Sequence, residues 1–430
     1  MTDLWNDPAF WTVALFLGLI FLRLPIALAM GATAVFVAWY WDLGVQVMPF
    51  NFAANVAKVP LLAIPFFIFA GSIMERAGIA EKLIAFIKWC IGGATGGLAI
   101  STVIVAALWG AISGSGPATV AALGVILIPG MLDIGYDKAF ATSVVSVSSG
   151  LAIIIPPSIA YIVYASITSV SIGGIFAAGI VPGLLVAAFL CVSVWLTSRE
   201  KGYLGEPRRG AFLPVLFDAV WALLCPVIIL GGIYGGVFTP TEAAAVAIFY
   251  GLFVGVFIYR KFDWRAFRET LSFSASTTAI IMILIACGGM YSWVASAVGL
   301  IDRVSSALLS ISDNPAVVLL MINIMLLLAG MLMGGNEIFY IFVPLLMPVM
   351  RHFRWDPVWF GVMATINIAI GQITPPVAAN LFVGSSISGL PMEKLVPHVL
   401  PLLFFAVAAM ALVTFFPQLT LFLPRWLGMM

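Results

Sequence analysis

The chain has 430 residues, 63% of them apolar and 9% charged, with a formal net charge of +1. About a quarter of an ordinary soluble sequence is charged, so this chain is built for a bilayer, as a polytopic α-helical membrane protein. The near-zero charge argues against nucleic acid as a partner. Two histidines (His352 and His398) and four isolated cysteines (Cys90, Cys191, Cys225 and Cys287) argue against a metal cluster or disulfide framework.

In chain order, the N-terminus carries Asp3 and Asp7 and no basic residue before Arg23. It lacks the basic start of a cleaved signal, so Phe10 to Leu22 is expected to persist as a first membrane helix, with a second over 24–41. Further on, basic residues cluster at Arg199, Lys201, Arg208 and Arg209, and again at Arg260, Lys261, Arg265 and Arg268. The positive-inside rule puts both clusters in the cytoplasm. Two spans between them, Leu213 to Gly232 and Thr241 to Tyr259, return the chain to the same side. The second opens with "FTPTEAAAVA", in which Thr239, Pro240 and Glu242 have the spacing of a capping box with proline at the first helical position.

The chain repeats itself. At an offset of 219, Pro129, Pro156, Pro157 and Pro182 fall on Pro348, Pro375, Pro376 and Pro401, and Asp137, Ser166 and Gly116 on Asp356, Ser385 and Gly335. "GIAEKL" at Gly78 resembles "GLIDRV" at Gly299, at offset 221. The segments are therefore 1–59, a first copy 60–200, a central stretch 201–271 and a second copy 272–430. The first copy ends at a cytoplasmic loop and the second begins at one, so an odd number of crossings makes the copies inverted and puts both termini in the periplasm. Arg76, Lys82 and Lys88 against the lone Arg303 agree with inversion; Arg351 and Arg354 run against it.

Each copy holds the same parts. An apolar arm rises to a small polar tip, "SGSGP" over 113–117 or "MGGNE" over 333–337, and a second arm returns. Arms of about 15 residues fall short of a ~30 Å hydrocarbon core, which predicts re-entrant hairpins. A segment broken by Pro-Pro follows, over 139–168 and 358–389. Proline suits the first position of a helix, so each second proline is expected to start a new half-helix, with Gly150 to Pro156 and Gly371 to Thr374 unwound before it. Unwound carbonyls coordinate cations and half-helix N-termini face anions; Ser158 and Val377 stand at the expected N-termini. The tips add oxygen ligands from Ser113, Gly114, Ser115, Gly116, Gly334, Gly335 and Asn336. Oxygen ligands suit a hard cation, and Glu337 is the single carboxylate in the hairpins and breaks, so sodium is expected as the coupling ion in preference to protons. Glu337 and Asn336 also have a plainer use at the start of the returning helix.

"SGSGPATVAALG", "IPPSI", "GVFTPTEAAAVA" and "ITPPVAANLF", in this order and over nearly the whole chain, resemble the large membrane subunit of the tripartite ATP-independent periplasmic (TRAP) transporters. The resemblance implies an inverted-repeat elevator fold in the bacterial inner membrane, with scaffold helices in 1–59 and 201–271. It implies sodium-driven uptake of an organic anion such as a C4-dicarboxylate, keto acid or sugar acid. It further implies two partners, a small four-helix membrane subunit and a periplasmic substrate-binding protein. No small-subunit segment is fused to this chain, so that partner is expected as a separate protein. Carried over by motif, one Na⁺ site would use Ser113, Gly114, Ser115 and Gly116 with Gly150, Ile155 and Pro156. The other would use Gly334 and Gly335 with Gly371 and Thr374. Ser158, Asn336, Glu337 and Asn380 are the candidate substrate ligands, although the second tip departs from the family pattern. A self-sufficient carrier of related fold is the alternative. An intramembrane enzyme lacks its catalytic cluster.

Overall fold

The structure, a computed structural model, describes residues 4–205 and 210–430. Asp3, Arg208 and Arg209 lie outside the described residues. Every regular element among those described is helical, and eight helical stretches are long and apolar enough to cross a bilayer.

The chain opens with α1 (Pro8–Phe21) and α2 (Ile26–Tyr40), where two helices were expected. Asp7 caps α1, its carboxylate accepting from the Ala9 amide at 3.1 Å, and proline takes the first helical position. A short α3 (Met48–Val56) was not foreseen. Next come α4 (Ala63–Arg76) and α5 (Ile79–Ile91), then a helical hairpin of α6 (Gly97–Ser113) and α7 (Gly116–Leu132). The first broken segment is α8 (Lys138–Ser148), α9 (Leu151–Ile154) and α10 (Ile159–Thr168), followed by α11 (Ile172–Glu200).

In the centre stand α12 (Phe212–Tyr234) and α13 (Pro240–Phe253), the latter running on through a π-helical turn. The capping box is present: Glu242 accepts from the Thr239 amide at 2.8 Å and Thr239 from the Glu242 amide at 3.3 Å. The second copy then runs α14 (Trp264–Ala297), α15 (Leu300–Ile311), the hairpin α16 (Pro315–Leu332) and α17 (Gly335–His352), and the broken pair α18 (Pro357–Gly371) and α19 (Ala379–Ser388). It closes with α20 (Met392–Phe415) and α21 (Gln418–Trp426).

The sequence repeat acquires a physical meaning here. Asp137 and Asp356 are both N-caps, accepting from the Phe140 amide at 2.9 Å and the Val358 amide at 2.8 Å, and so fix where each broken segment starts. Packing is reciprocal: α8 lies on α20 and α18 on α11, while α11 and α20 pack together. A Cβ on Gly150 would lie 3.6 Å from the carbonyl oxygen of Ala369, its own equivalent 219 residues on. Equivalent residues that touch each other mark a two-fold-like relation between the copies.

The equivalent helices α5 and α15 sit at opposite ends of α14, whose 34 residues span roughly 50 Å. At one end Arg76 pairs with Glu269 at 2.7 Å, Lys82 with Asp218 at 2.7 Å, and Lys261 with Glu81. At the other, α15 follows the end of α14, and Arg303 pairs with Asp7. One expectation needs correction. The hairpin arms have 17 and 18 residues, about 26 Å. They are longer than expected because the returning arms start inside the tips, at Gly116 and Gly335, and run past Pro129 and Pro348 to Leu132 and His352.

Candidate functional site

The first tip is made by two backbone conformations. Gly114 adopts φ +61°, a left-handed geometry that glycine takes without steric cost, and Ser115 is extended. A Cβ on Gly114 would sit 3.1 Å from the carbonyl oxygen of Pro157, so the tip rests directly on the first break. Behind it the arm crosses the broken segment backbone to backbone. A Cβ on Gly110 would fall 2.7 Å from Cα of Ala152, and in the second copy one on Gly330 would fall 3.0 Å from Cα of Gly371.

The second tip has Met333 and Gly334 extended before α17 begins at Gly335. Glu337 folds back, its carboxylate covering Gly334 at the start of its own helix. A negative charge over a helix N-terminus is the plainer of its two expected uses. Gly335 lies against Gln372, whose side-chain nitrogen is 3.7 Å from the Cβ position.

Each break frees the same three carbonyls. No described donor reaches the oxygens of Ile155, Pro156 and Pro157, nor those of Thr374, Pro375 and Pro376. A side chain beside each break bonds back to the segment before it. In the first copy it reaches the carbonyl just upstream of the three, and in the second the one four residues before Thr374, which also accepts from the Ile373 amide. Tyr161 donates to Ile154 at 2.9 Å, and Thr374 donates to Ile370 at 2.6 Å. Carbonyls left without a donor at membrane depth need another partner, and a cation is one that can serve.

The half-helices begin later than expected. Ser158 is extended and stands before α10, which starts at Ile159, without a side-chain cap bond; Ala378, at φ +46°, precedes α19, which starts at Ala379. The second prolines therefore belong to the breaks and do not open the helices. Gly371 is the last residue of α18 and helical, and Gly150 has helical torsions, so neither lies in an unwound stretch. Gly371 serves close packing against Gly330, while Gly150 is in ordinary contact with Ala369.

A cavity of about 360 Å³ joins the two copies. Ser113, Gly114, Ser115 and Gly116 wall it from the first tip, Gly335 and Asn336 from the second, and Gln372 from the second break. Gln372 is the junction, since the Cβ position of Gly116 is also 3.1 Å from its Oε1. Asn380 is fully buried behind Gly116, 2.7 Å from the same point. The oxygens of Gln372, Asn380 and Ser158 are buried with no hydrogen-bond partner, a set of unused oxygen ligands around the tips. The N-termini of α7, α10 and α17 open on this space through Gly116, Ile159 and Gly335, and their dipoles favour an anion there.

Of the expected residues, Ser158 and Asn380 stand behind the wall, and Glu337 and Thr374 are turned to their own helices. Val377 is 49% exposed and off the cavity. Sequence reasoning missed Gln372, Trp109, Ser72 and Glu75 of α4, and Phe273 and Thr277 of α14, all of which line it. Gln372 was within reach, since it interrupts the apolar run "IAIGQITPP" just before the second Pro-Pro pair. The α4 and α14 residues carried no signal, because nothing in the repeat links them to the tips.

Comparison with known proteins agrees with this architecture. The fold is similar to that of the Alcanivorax borkumensis YdaH transporter, with a TM-score of 0.62 over 95% of this chain and 99% of that one, at 14% identity. The chain is 41% identical over 371 residues to the C4-dicarboxylate TRAP transporter large permease protein DctM of Pseudomonas aeruginosa, covering 86% of this chain and 87% of that one. It is 37% identical over 407 residues to the isethionate TRAP transporter permease protein DctMQ of Oleidesulfovibrio alaskensis, covering 93% of this chain but 63% of that protein's length. Residues 13–419 match the family model for the tripartite ATP-independent periplasmic transporter, DctM component. With glycine tips and broken helices in the order its sequence announces, the chain belongs to the DctM family of TRAP transporter large permeases, multi-pass membrane proteins that transport and do not catalyse.

Proposed function

We propose that this permease takes up a small organic anion, carboxylate or sulfonate, coupled to sodium across the bacterial inner membrane. Two of its relatives are named for C4-dicarboxylates and isethionate, both anions. One observation carries the reading. Two breaks at equivalent positions each leave three carbonyls without donors, and the tips beside them share one cavity. Each sodium would sit between a tip and its break, on carbonyl and hydroxyl oxygens. The anion would lie in the cavity against the N-termini of α7, α10 and α17. Without sodium the freed carbonyls repel an anion; with it the site is neutralised, and this difference couples the two fluxes.

In this reading the tips and breaks move together past the helices of 1–59 and 201–271, exposing the cavity to each side in turn as an elevator. A periplasmic binding protein delivers the anion and a small membrane subunit completes the scaffold. Both termini face the periplasm.

The test is uptake of succinate and isethionate by the chain with its two partners in proteoliposomes. Uptake should require an inward sodium gradient and persist when the proton gradient alone is collapsed. Full activity without sodium would overturn the coupling. Equal activity without the binding protein would favour a self-sufficient carrier.

A further inference from the structure

Next to the cavity lies a second, wider recess of about 740 Å³ at the start of α14. Phe273 lines both spaces, and Glu75 on the cavity side is followed by Arg76 on the other. Glu269 holds two of the recess's arginines, Arg76 at 2.7 Å and Arg265 at 2.9 Å. Arg268 also lines it and has no partner among the described residues. Three guanidinium groups and one carboxylate line the recess, Glu75 beside Arg76 and Asp263 beside Arg265 lie just outside it, and Arg268 is the cation left over.

Hydroxyls continue inward from there. Arg268, Ser272 and Ser276 repeat at four-residue spacing on α14 and line the recess, while Phe273 and Thr277, also four apart, line the cavity. Residues at that spacing share a helix face, so α14 presents a polar strip from the basic mouth to the tips, about 13 Å from Arg268 to Thr277. Exposed serines in a span otherwise this apolar gain nothing from lipid contact, and an aqueous path accounts for them.

We propose that this basic mouth is an anion subsite outside the cavity. The carboxylate or sulfonate of the cargo rests on Arg268 as it enters or leaves, and Glu269 acts as a resident competitor for Arg76 and Arg265. The inference rests on the reading of the cargo as an organic anion. It is tested by local potential, which does not depend on transport.

The test places Ser276→Cys in the full chain, assembled with its partners in phosphatidylcholine vesicles at low ionic strength. Rates of modification by an anionic and a cationic methanethiosulfonate are compared, with the unsubstituted chain as background. The anionic reagent should react faster. Arg268→Gln should lower the anionic-to-cationic ratio about threefold, the value for one unit charge some 12 Å away in water. Glu269→Gln should raise it by a similar factor. Succinate should slow modification, and this protection should vanish in Arg268→Gln. Equal rates for the two reagents, or ratios unmoved by both substitutions, would overturn the subsite. Protection by added phosphatidylglycerol that succinate cannot displace would assign Arg268 to lipid headgroups and also overturn it. A failure of sodium-driven uptake, with these ratios intact, would count against the proposed function alone.

Discussion

The two breaks carry the same backbone device under different cover. Ser158 of the first is fully buried, whereas its equivalent in the second, Val377, is 49% exposed. The helices that follow the breaks differ as well. Gly179 and Gly183 of α11 stand four apart, a small-xxx-small pair that lets helix backbones approach closely. Their Cβ positions lie 2.9 Å from the Ile154 carbonyl oxygen and 2.6 Å from Cγ1 of Ile155. The equivalents on α20 are His398 and Leu402. His398 reaches Asp137 at 3.4 Å. What the copies share is therefore the loss of helical bonding at one place; the side chains that seal it differ.

Exchanging the cover breaks this comparison most severely. Gly183→Leu, which gives the first copy the residue of the second, should drive four carbons into Ile155. Overpacking of this kind costs typically 1–3 kcal/mol, about the top of that range here. The assembled complex should unfold at a clearly lower temperature and lose most transport. Thermal unfolding with and without sodium reads both effects.

A methyl at each backbone crossing should do less, and unequally. Gly110→Ala meets Ala152 at 2.7 Å, and Gly330→Ala meets Gly371 at 3.0 Å. Both should destabilise, by about 1–2 kcal/mol, with Gly110→Ala the worse. The reverse order in chemical denaturation would show that the second crossing is the tighter one.

Asn380→Ala removes an unpartnered oxygen behind Gly116 and a weak contact, 3.4 Å, to the Ser146 carbonyl. Stability should fall by only about 1 kcal/mol, while half-saturation for sodium rises severalfold. The smallest effect belongs to Glu337→Gln. Its carboxylate covers its own helix end, a contribution of about 0.3–1 kcal/mol. Sodium half-saturation should stay within about twofold; a larger shift would make Glu337 a ligand.

Much of this arrangement was legible before the fold was known. Prolines recurring at one offset located both breaks, and the paired aspartates proved to be the caps that start them. Charged loops separated the copies, because bilayer crossings leave few places for Lys and Arg. The exact start of each half-helix was not legible. Ser158 is extended with Gly114 of the first tip packed on it, and Ala378 is left-handed, conformations that proline preference does not reveal. The cavity's other wall was hidden for a related reason, since Glu75, Phe273 and Thr277 meet the tips only through tertiary packing. Gly371, a glycine near a break that invited a ligand role, also has a packing use that the sequence did not show, close contact with Gly330.

The most direct test of cation binding at the breaks is uptake against sodium concentration for Pro156→Ala/Pro157→Ala and for Pro375→Ala/Pro376→Ala. Alanine is about 3 kcal/mol better than proline per helix-interior position. Each double substitution should let the helix close over its break and return the three freed carbonyls to helical hydrogen bonds. The expected result is a complex that still inserts and assembles, transports poorly, and needs severalfold more sodium for half-saturation in either variant. Unaltered sodium curves in both variants would contradict it and leave the Pro-Pro pairs as bends that serve packing alone.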